Sequence, residues 1–213
     1  MELITPETIA VLAVLAALAG LVDAIAGGGG LLTIPALLWA GLTPVQALGT
    51  NKLQAVFGSF AATVNFAHKG EIRLRIMAPV VVLTFAGASV GALAVQHLGS
   101  EILDDLIPLL LIGFALYFLF SPRVGDLDVQ QRITPLAFGA GAGAGIGFYD
   151  GFFGPGTGSF FALAFVSLLG YNLRRATAHA KLLNFTSNLA ALLLFTAGGH
   201  LVWAVGLPMA LGQ

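Results

Sequence analysis

The sequence predicts an all-α integral membrane protein: a polytopic helical bundle of two repeats, each with a glycine-broken helix. Three observations lead there. Charge is too scarce to cover a surface in water, the uncharged stretches are long enough to cross a bilayer, and two matching glycine breaks divide the chain.

Of 213 residues, 58% are hydrophobic and only 9% are charged, against about 25% charged in soluble domains. Lipid must be the solvent for most of the exterior. The net charge of −1 gives no electrostatic footprint for nucleic acid. With no cysteine, disulfides, thiolate metal sites and thiol catalysis are excluded.

The nine basic and ten acidic residues are clustered, leaving charge-free stretches at 24–51, 76–100, 106–122, 133–149, 151–173 and 182–213. A helix crosses the hydrocarbon core in about 20 residues, so these stretches predict several spans. The first, 6–26, resembles a signal peptide, but Glu2 and Glu7 precede it and no Lys or Arg does, the reverse of a secretory leader. It is a retained span. Further apolar segments follow at 46–67, 74–97, 102–120, 134–150 and 172–197, and a last one opens near 201. Two short ones, 31–41 and 158–169, would be only about 18 Å long as helices. Each follows a helix-stopping run, Gly27-Gly28-Gly29-Gly30 or Gly154-Pro155-Gly156-Thr157-Gly158, whose freed backbone groups need partners away from lipid.

The breaks expose an internal repeat. Asp23, Gly27 and Gly29 match Asp150, Gly154 and Gly156 at an offset of 127. Gly41, Ala47, Lys52 and Gly70 match Gly170, Ala176, Lys181 and Gly199 at 129. One membrane domain thus holds a first copy at 1–125 and a second at 133–213, the second short of a full unit by one or two helices. Lys69, Arg73 and Arg75, then Arg123 and Arg132, then Arg174 and Arg175 belong inside by the positive-inside rule. Glu101, Asp104 and Asp105 form an acidic outer loop. This arrangement expects each short segment to complete a crossing, giving five crossings per copy, an inverted second copy and an external N-terminus. Re-entrant short segments would instead make the copies parallel.

Asp23, Lys52, Asp150 and Lys181 are the charges least easily assigned to loops. An ionised group at the bilayer centre costs at least about 2.5–3.5 kcal/mol, so such residues pair or line a cavity. The plainer readings are snorkelling lysines and aspartates at an aqueous rim. Each aspartate ends a helix, where the macrodipole disfavours negative charge; it should be protonated, or paired with a cation such as the lysine of its own copy. Asp23 and Asp150 are therefore the candidates for proton or ion coupling, to H+ or Na+. The short helices would bring amide-rich N-termini into the membrane, an anion site needing no cationic side chain. Gly28, Gly29, Gly30, Gly156 and Gly158 supply those amides, and Thr33, Thr157 and Ser159 add hydroxyl donors. Asn51, Lys52, Lys181 and His179 complete the candidate binding set. Gln54, Asn65, Asn184 and Asn188 read equally as interhelical glue or pathway lining. Gly139, Gly143, Gly147 and Gly151, spaced by four, predict a smooth packing face. The four histidines are too scattered for a metal motif, and nothing calls for a cofactor.

The run from Asp23 to Pro35 followed by Ala47-Leu-Gly-Thr-Asn-Lys52 resembles the first signature of the TauE/SafE family of permeases. The run from Asp150 to Gly158, followed by Ala176 to Lys181, is similar to its second. The resemblance implies a multi-pass protein of the bacterial inner membrane that moves sulfite, sulfonates or related small sulfur-containing anions. Family members usually run somewhat longer.

The expected function is a secondary carrier rather than an enzyme, binding its anion between the broken helices. An anion-selective channel is the first alternative. A membrane hydrolase using Ser159 or Ser187 with Lys181 or His179 is the second, and a purely structural role is a third. Partners are the lipid bilayer and a small anion, with a homo-oligomer left open.

Overall fold

Local sequence sets the helix boundaries. In the computed structural model, which describes residues 4–120 and 130–213, helix α1 (Pro6–Ala26) starts behind Thr5, whose hydroxyl accepts from the Thr8 amide. It stops at Gly27, which at φ 68° takes the left-handed conformation that glycine tolerates. Helix α2 (Gly30–Trp39) follows at once. Helix α3 (Pro44–His68) opens with a full capping box: Gln46 N–H donates to Thr43 Oγ1, and Thr43 N–H to Gln46 Oε1. Helices α4 (Leu74–Gln96) and α5 (Ser100–Phe120) come next. Past the undescribed segment, α6 (Pro135–Phe138), a π-helical turn (Gly139–Gly143) and α7 (Ala144–Phe152) form one continuous rod. Helix α8 (Thr157–Leu169) follows the second break, then α9 (Leu173–Ala197), capped by Asn172, and α10 (Trp203–Gly212). No strand occurs among the described residues. Glu2 and Arg123 lie outside them.

Burial is distributed as lipid demands. Val14, Leu21, Val82, Leu109 and Leu119 are each more than 60% exposed, whereas Lys52 and Asp150 are 1% exposed. Water would impose the opposite order. Helices α1, α4 and α9 meet the length and apolarity of membrane spans.

Both broken helices are hairpins. Ile9 and Leu12 of α1 pack with Leu37 and Ala40 near the end of α2 and with Leu42 just beyond it. Likewise Phe138 of α6 stacks on Phe165 of α8 at 4.6 Å, and the Arg132 amide donates to the Leu168 carbonyl. Each pair returns to the end of the bundle it left, so the expectation that the short helices complete a crossing, with five crossings per copy, is corrected. The reason is local: left-handed glycines at 27, 154 and 156 reverse the chain, and the other hairpin covers the tip. Helices α3, α4 and α5 separate the hairpins. Each hairpin makes no net crossing, so only these three rods count. Three is odd, so the two hairpins enter from opposite ends, and re-entrance does not make the copies parallel as expected. Arg73 and Arg175 consequently share one end, where Glu71 pairs with Arg174 at 2.8 Å. Leu103 near the acidic start of α5 packs at the other end with Val45, Val95 and Phe195.

Two packing devices hold the hairpins. Helix α3 lies antiparallel to α9, Gly49 facing Phe195 and Phe60 facing Phe185. The α6–α7 rod lies parallel to α4, with Gly139 and Gly143 over Val80, Gly147 over Thr84 and Gly151 over Ala88. A methyl group on Gly151 would overlap the Ala88 carbonyl. The four-residue glycine spacing is thus a packing face. The sequence reading missed its counterpart, Gly87 and Gly91 on α4, which press on Ala144 and Phe148.

Candidate functional site

The two hairpin tips meet inside the bundle. A Cβ at Gly27 would lie 2.7 Å from the Ser159 amide nitrogen and 3.0 Å from Gly158 Cα. Gly30 faces Pro155. Only residues without side chains let two backbones come this close, so the plainer reading of the glycines, close packing, is part of the answer.

Four charges flank this crossing as two ion pairs. Lys52 Nζ donates to Asp150 Oδ1 at 2.8 Å, and Lys181 Nζ to Asp23 Oδ2 at 2.8 Å. Each lysine therefore pairs with the aspartate of the other half, not with that of its own, which corrects the expected pairing. Helix geometry explains the exchange. At about 1.5 Å per residue, Asp23 lies roughly 26 Å along α1 from its start, whereas Lys52 lies only about 12 Å along α3 from that same end. Asp150 and Lys181 show the same mismatch from the opposite end. Each hairpin carries its carboxylate past its own lysine to the lysine beyond.

The pairs differ in surroundings. Asp150 Oδ1 also accepts from Thr157 Oγ1 at 2.9 Å, and Ser187 donates to Oδ2. Thr157 opens α8, so the positive end of that helix adds to the compensation. Both members of this pair are sealed, at 1% and 2% side-chain exposure. Asp23 receives Lys181 alone among the described contacts, and its side chain is 20% exposed. Lys181 also donates to the Asp23 carbonyl at 2.8 Å, capping the end of α1.

A narrow polar hollow of about 20 Å³ runs between the pairs, room for about one water molecule. Asp23, Gly30, Asn51, Lys52, Asp150, Gly156, Thr157 and Gly158 of the expected set line it, and so do Gln54, Asn184 and Asn188. Lys181 stands behind Asp23. Thr33 sits one layer out, donating to Asn51 Oδ1 at 2.6 Å; Gln54 Nε2 donates to the same oxygen at 2.8 Å. Gly28 and Gly29 are buried in the first break without lining the hollow, and Ser159 stands beside it with its amide nitrogen against Gly27. Gln54 Oε1 is buried with no donor among the described residues. Three carboxamides, Gln54, Asn184 and Asn188, thus belong to the lining rather than to interhelical glue alone.

His179 is not part of this site, correcting the expectation. It is fully buried near the arginine-bearing end, packed against Phe165 and Tyr171. Its Nε2 accepts from the Arg73 amide and its Nδ1 faces the Arg175 carbonyl at 2.8 Å, so both nitrogens serve backbone groups. Two helical turns separate His179 from Ser187, whose hydroxyl is turned to Asp150; the base–nucleophile pair of a hydrolase is not assembled there. Among the described residues no group of three or more His, Asp or Glu is placed to hold a metal ion.

A lipid-facing helical bundle with paired charges around a narrow internal hollow has the architecture of a membrane transporter. The family model for the sulfite exporter TauE/SafE matches residues 12–213, and the chain belongs to that family. It is 51% identical over 211 residues to the probable membrane transporter protein YfcA of Escherichia coli K12, covering 99% of this chain and 78% of the relative. The probable membrane transporter protein ORF9 of a Sinorhizobium species is 50% identical over 96% of this chain and 78% of its own length. A probable membrane transporter protein of Haemophilus influenzae is 48% identical, over 97% and 81%. No solved structure matches the chain. This protein is a membrane transporter of the TauE/SafE family.

Proposed function

We propose that the protein is a secondary carrier of small anions, sulfite or organosulfonates being the first candidates. In this reading the two hairpins are inverted copies of one unit, and access to the hollow alternates as one moves against the other. The observation that carries the proposal is the exchanged pair of salt bridges at the crossing. Because each bridge joins the two halves, opening one frees motion between them. Its ammonium and the amides of Gly30 or Gly158 then become available to an oxyanion. The family's description as sulfite exporters supports the substrate class, and the basic end supports a bacterial inner-membrane placement with the N-terminus outside.

The formal charges around the hollow sum to zero: two lysines against two aspartates. An entering monoanion would leave one uncompensated negative charge in a low-dielectric site, which is costly. Transfer of a proton or Na+ with the anion removes that cost. Asp23, with fewer hydrogen-bond donors and more exposure, is the better placed carboxylate to take it.

Proteoliposomes containing the purified chain test this. Labelled sulfite uptake should accelerate when unlabelled sulfite is present on the opposite side, and Lys52→Gln should abolish the exchange. Uptake without trans-stimulation would establish the channel reading instead.

A further inference from the structure

A second cavity lies at the arginine-bearing end, well away from the hairpin tips. It has a volume of about 410 Å³ and is lined by Arg73, Gln131, Pro135, Tyr171 and Arg175, with Ile76 at its edge. That is within the range of small-ligand sites, about 300–1,000 Å³. Neither guanidinium has a carboxylate partner among the described residues, because the nearby Glu71 is taken by Arg174. Arg175 lies with its guanidinium carbon 4.0 Å above the centre of the Tyr171 ring, which is itself 8% exposed. Stacking holds the plane of the fork while leaving its edge N–H groups for an acceptor. Helices α4 and α9 both begin here, at Leu74 and Leu173, so their positive ends add to the field.

The surroundings indicate what kind of anion belongs there. Leu74, Leu136 and Leu173 are 58%, 61% and 38% exposed, and Ile76 is 42% exposed. Arginines directly beside exposed leucines mark the level at which headgroups give way to hydrocarbon. A freely diffusing anion would have no use for the apolar border, whereas a lipid uses both parts. Guanidinium groups recognise phosphate oxygens through paired N–H donors, and both arginines line the cavity.

We propose that this cavity binds the phosphodiester headgroup of an anionic membrane lipid between Arg73 and Arg175, with the acyl chains against Leu74, Ile76 and Leu136. The site needs only that the protein resides in a membrane, and is independent of what the carrier transports. By pinning the starts of α4 and α9 together with the entry to α6, such a lipid would fix one end of the second hairpin.

Native mass spectrometry of the protein in an uncharged detergent tests this with phosphatidylglycerol, phosphatidylcholine and inorganic phosphate. The wild-type chain should retain phosphatidylglycerol in preference to phosphatidylcholine. Arg73→Gln with Arg175→Gln should weaken that retention by about tenfold or more, at roughly 1 kcal/mol per basic residue near a lipid surface. Arg174→Gln combined with Glu71→Gln, which removes the neighbouring ion pair without freeing its carboxylate, should leave it unchanged. Because Arg175 also packs on Tyr171, the exposed Arg73→Gln alone is measured too and should weaken binding severalfold in a protein with unaltered thermal unfolding. Undiminished phosphatidylglycerol retention in the double variant overturns the site. Equal retention of phosphatidylcholine does so as well. Competition by millimolar inorganic phosphate as effective as by the lipid would make it a soluble-anion site and overturn the lipid assignment.

Discussion

At the scale of single residues, the energetics centre on the two exchanged ion pairs. Breaking a sealed pair by removing one partner leaves an unpaired buried charge, a loss of about 3–5 kcal/mol. Lys52→Met should therefore lower the unfolding temperature of the detergent-solubilised protein markedly, because Asp150 is sealed within the bundle. Adding Asp150→Asn should restore much of that stability while leaving transport absent, since neutral partners no longer present an ammonium to an anion. A double variant no more stable than the single one would show that the stranded carboxylate is not what destabilises the protein. Asp23→Asn should cost less stability, its side chain being 20% exposed, yet should alter the pH profile of uptake if Asp23 carries the proton. Of these features, the identity of the four charges was legible in the sequence, because ionisable residues are conspicuous in apolar segments. Their pairing was not. It depends on how far each hairpin reaches along its neighbours, a distance that separates Asp23 from Lys52 and joins it to Lys181.

Among the elements, the contact between α4 and the α6–α7 rod is the least forgiving. Gly147 and Gly151 press on the carbonyls of Thr84 and Ala88, and any side chain there must push two backbones apart. Gly151→Leu should disrupt the bundle, read as loss of monodisperse protein in size-exclusion chromatography. Gly145→Leu, on a glycine with nothing close to a Cβ, should be tolerated. The sequence exposed the rod's glycine spacing but not the Gly87–Gly91 partner, which is shorter and lies in an otherwise ordinary span. The antiparallel pair α3–α9 offers a test of motion. The chain has no cysteine, so Phe60→Cys with Phe185→Cys, at ring positions 5.2 Å apart, gives a clean crosslinking pair. A short thiol crosslinker should arrest uptake, and reductive release should restore it; undiminished uptake in crosslinked protein would rule out sliding of these helices.

For the molecule as a whole, the hairpin arrangement makes a topological prediction. Single cysteines at Gly70, Gln131 and Asn172 should react with an impermeant thiol reagent from one side of the membrane, and cysteines at Gly99 and Gly199 from the other. Reaction of positions 70 and 172 from opposite sides would refute the arrangement. Counting apolar stretches located nearly every long helix, because segment length and hydropathy are local properties that lipid selects directly. The same counting misjudged the short helices as crossings, since a length of 10 or 13 residues does not say in which direction the chain leaves a glycine break.

By itself, then, the sequence determined the solvent, the helices, the two breaks and the charges that had to be compensated. All follow from composition and short-range spacing, where each residue's free energy depends mainly on its immediate neighbours and on lipid. The tertiary structure alone decided the reversal at each break, the exchange of partners between halves and the removal of His179 from the site. Those outcomes depend on where rods of different length come to lie beside one another, and residues 98 positions apart acquire their relation only when the bundle closes.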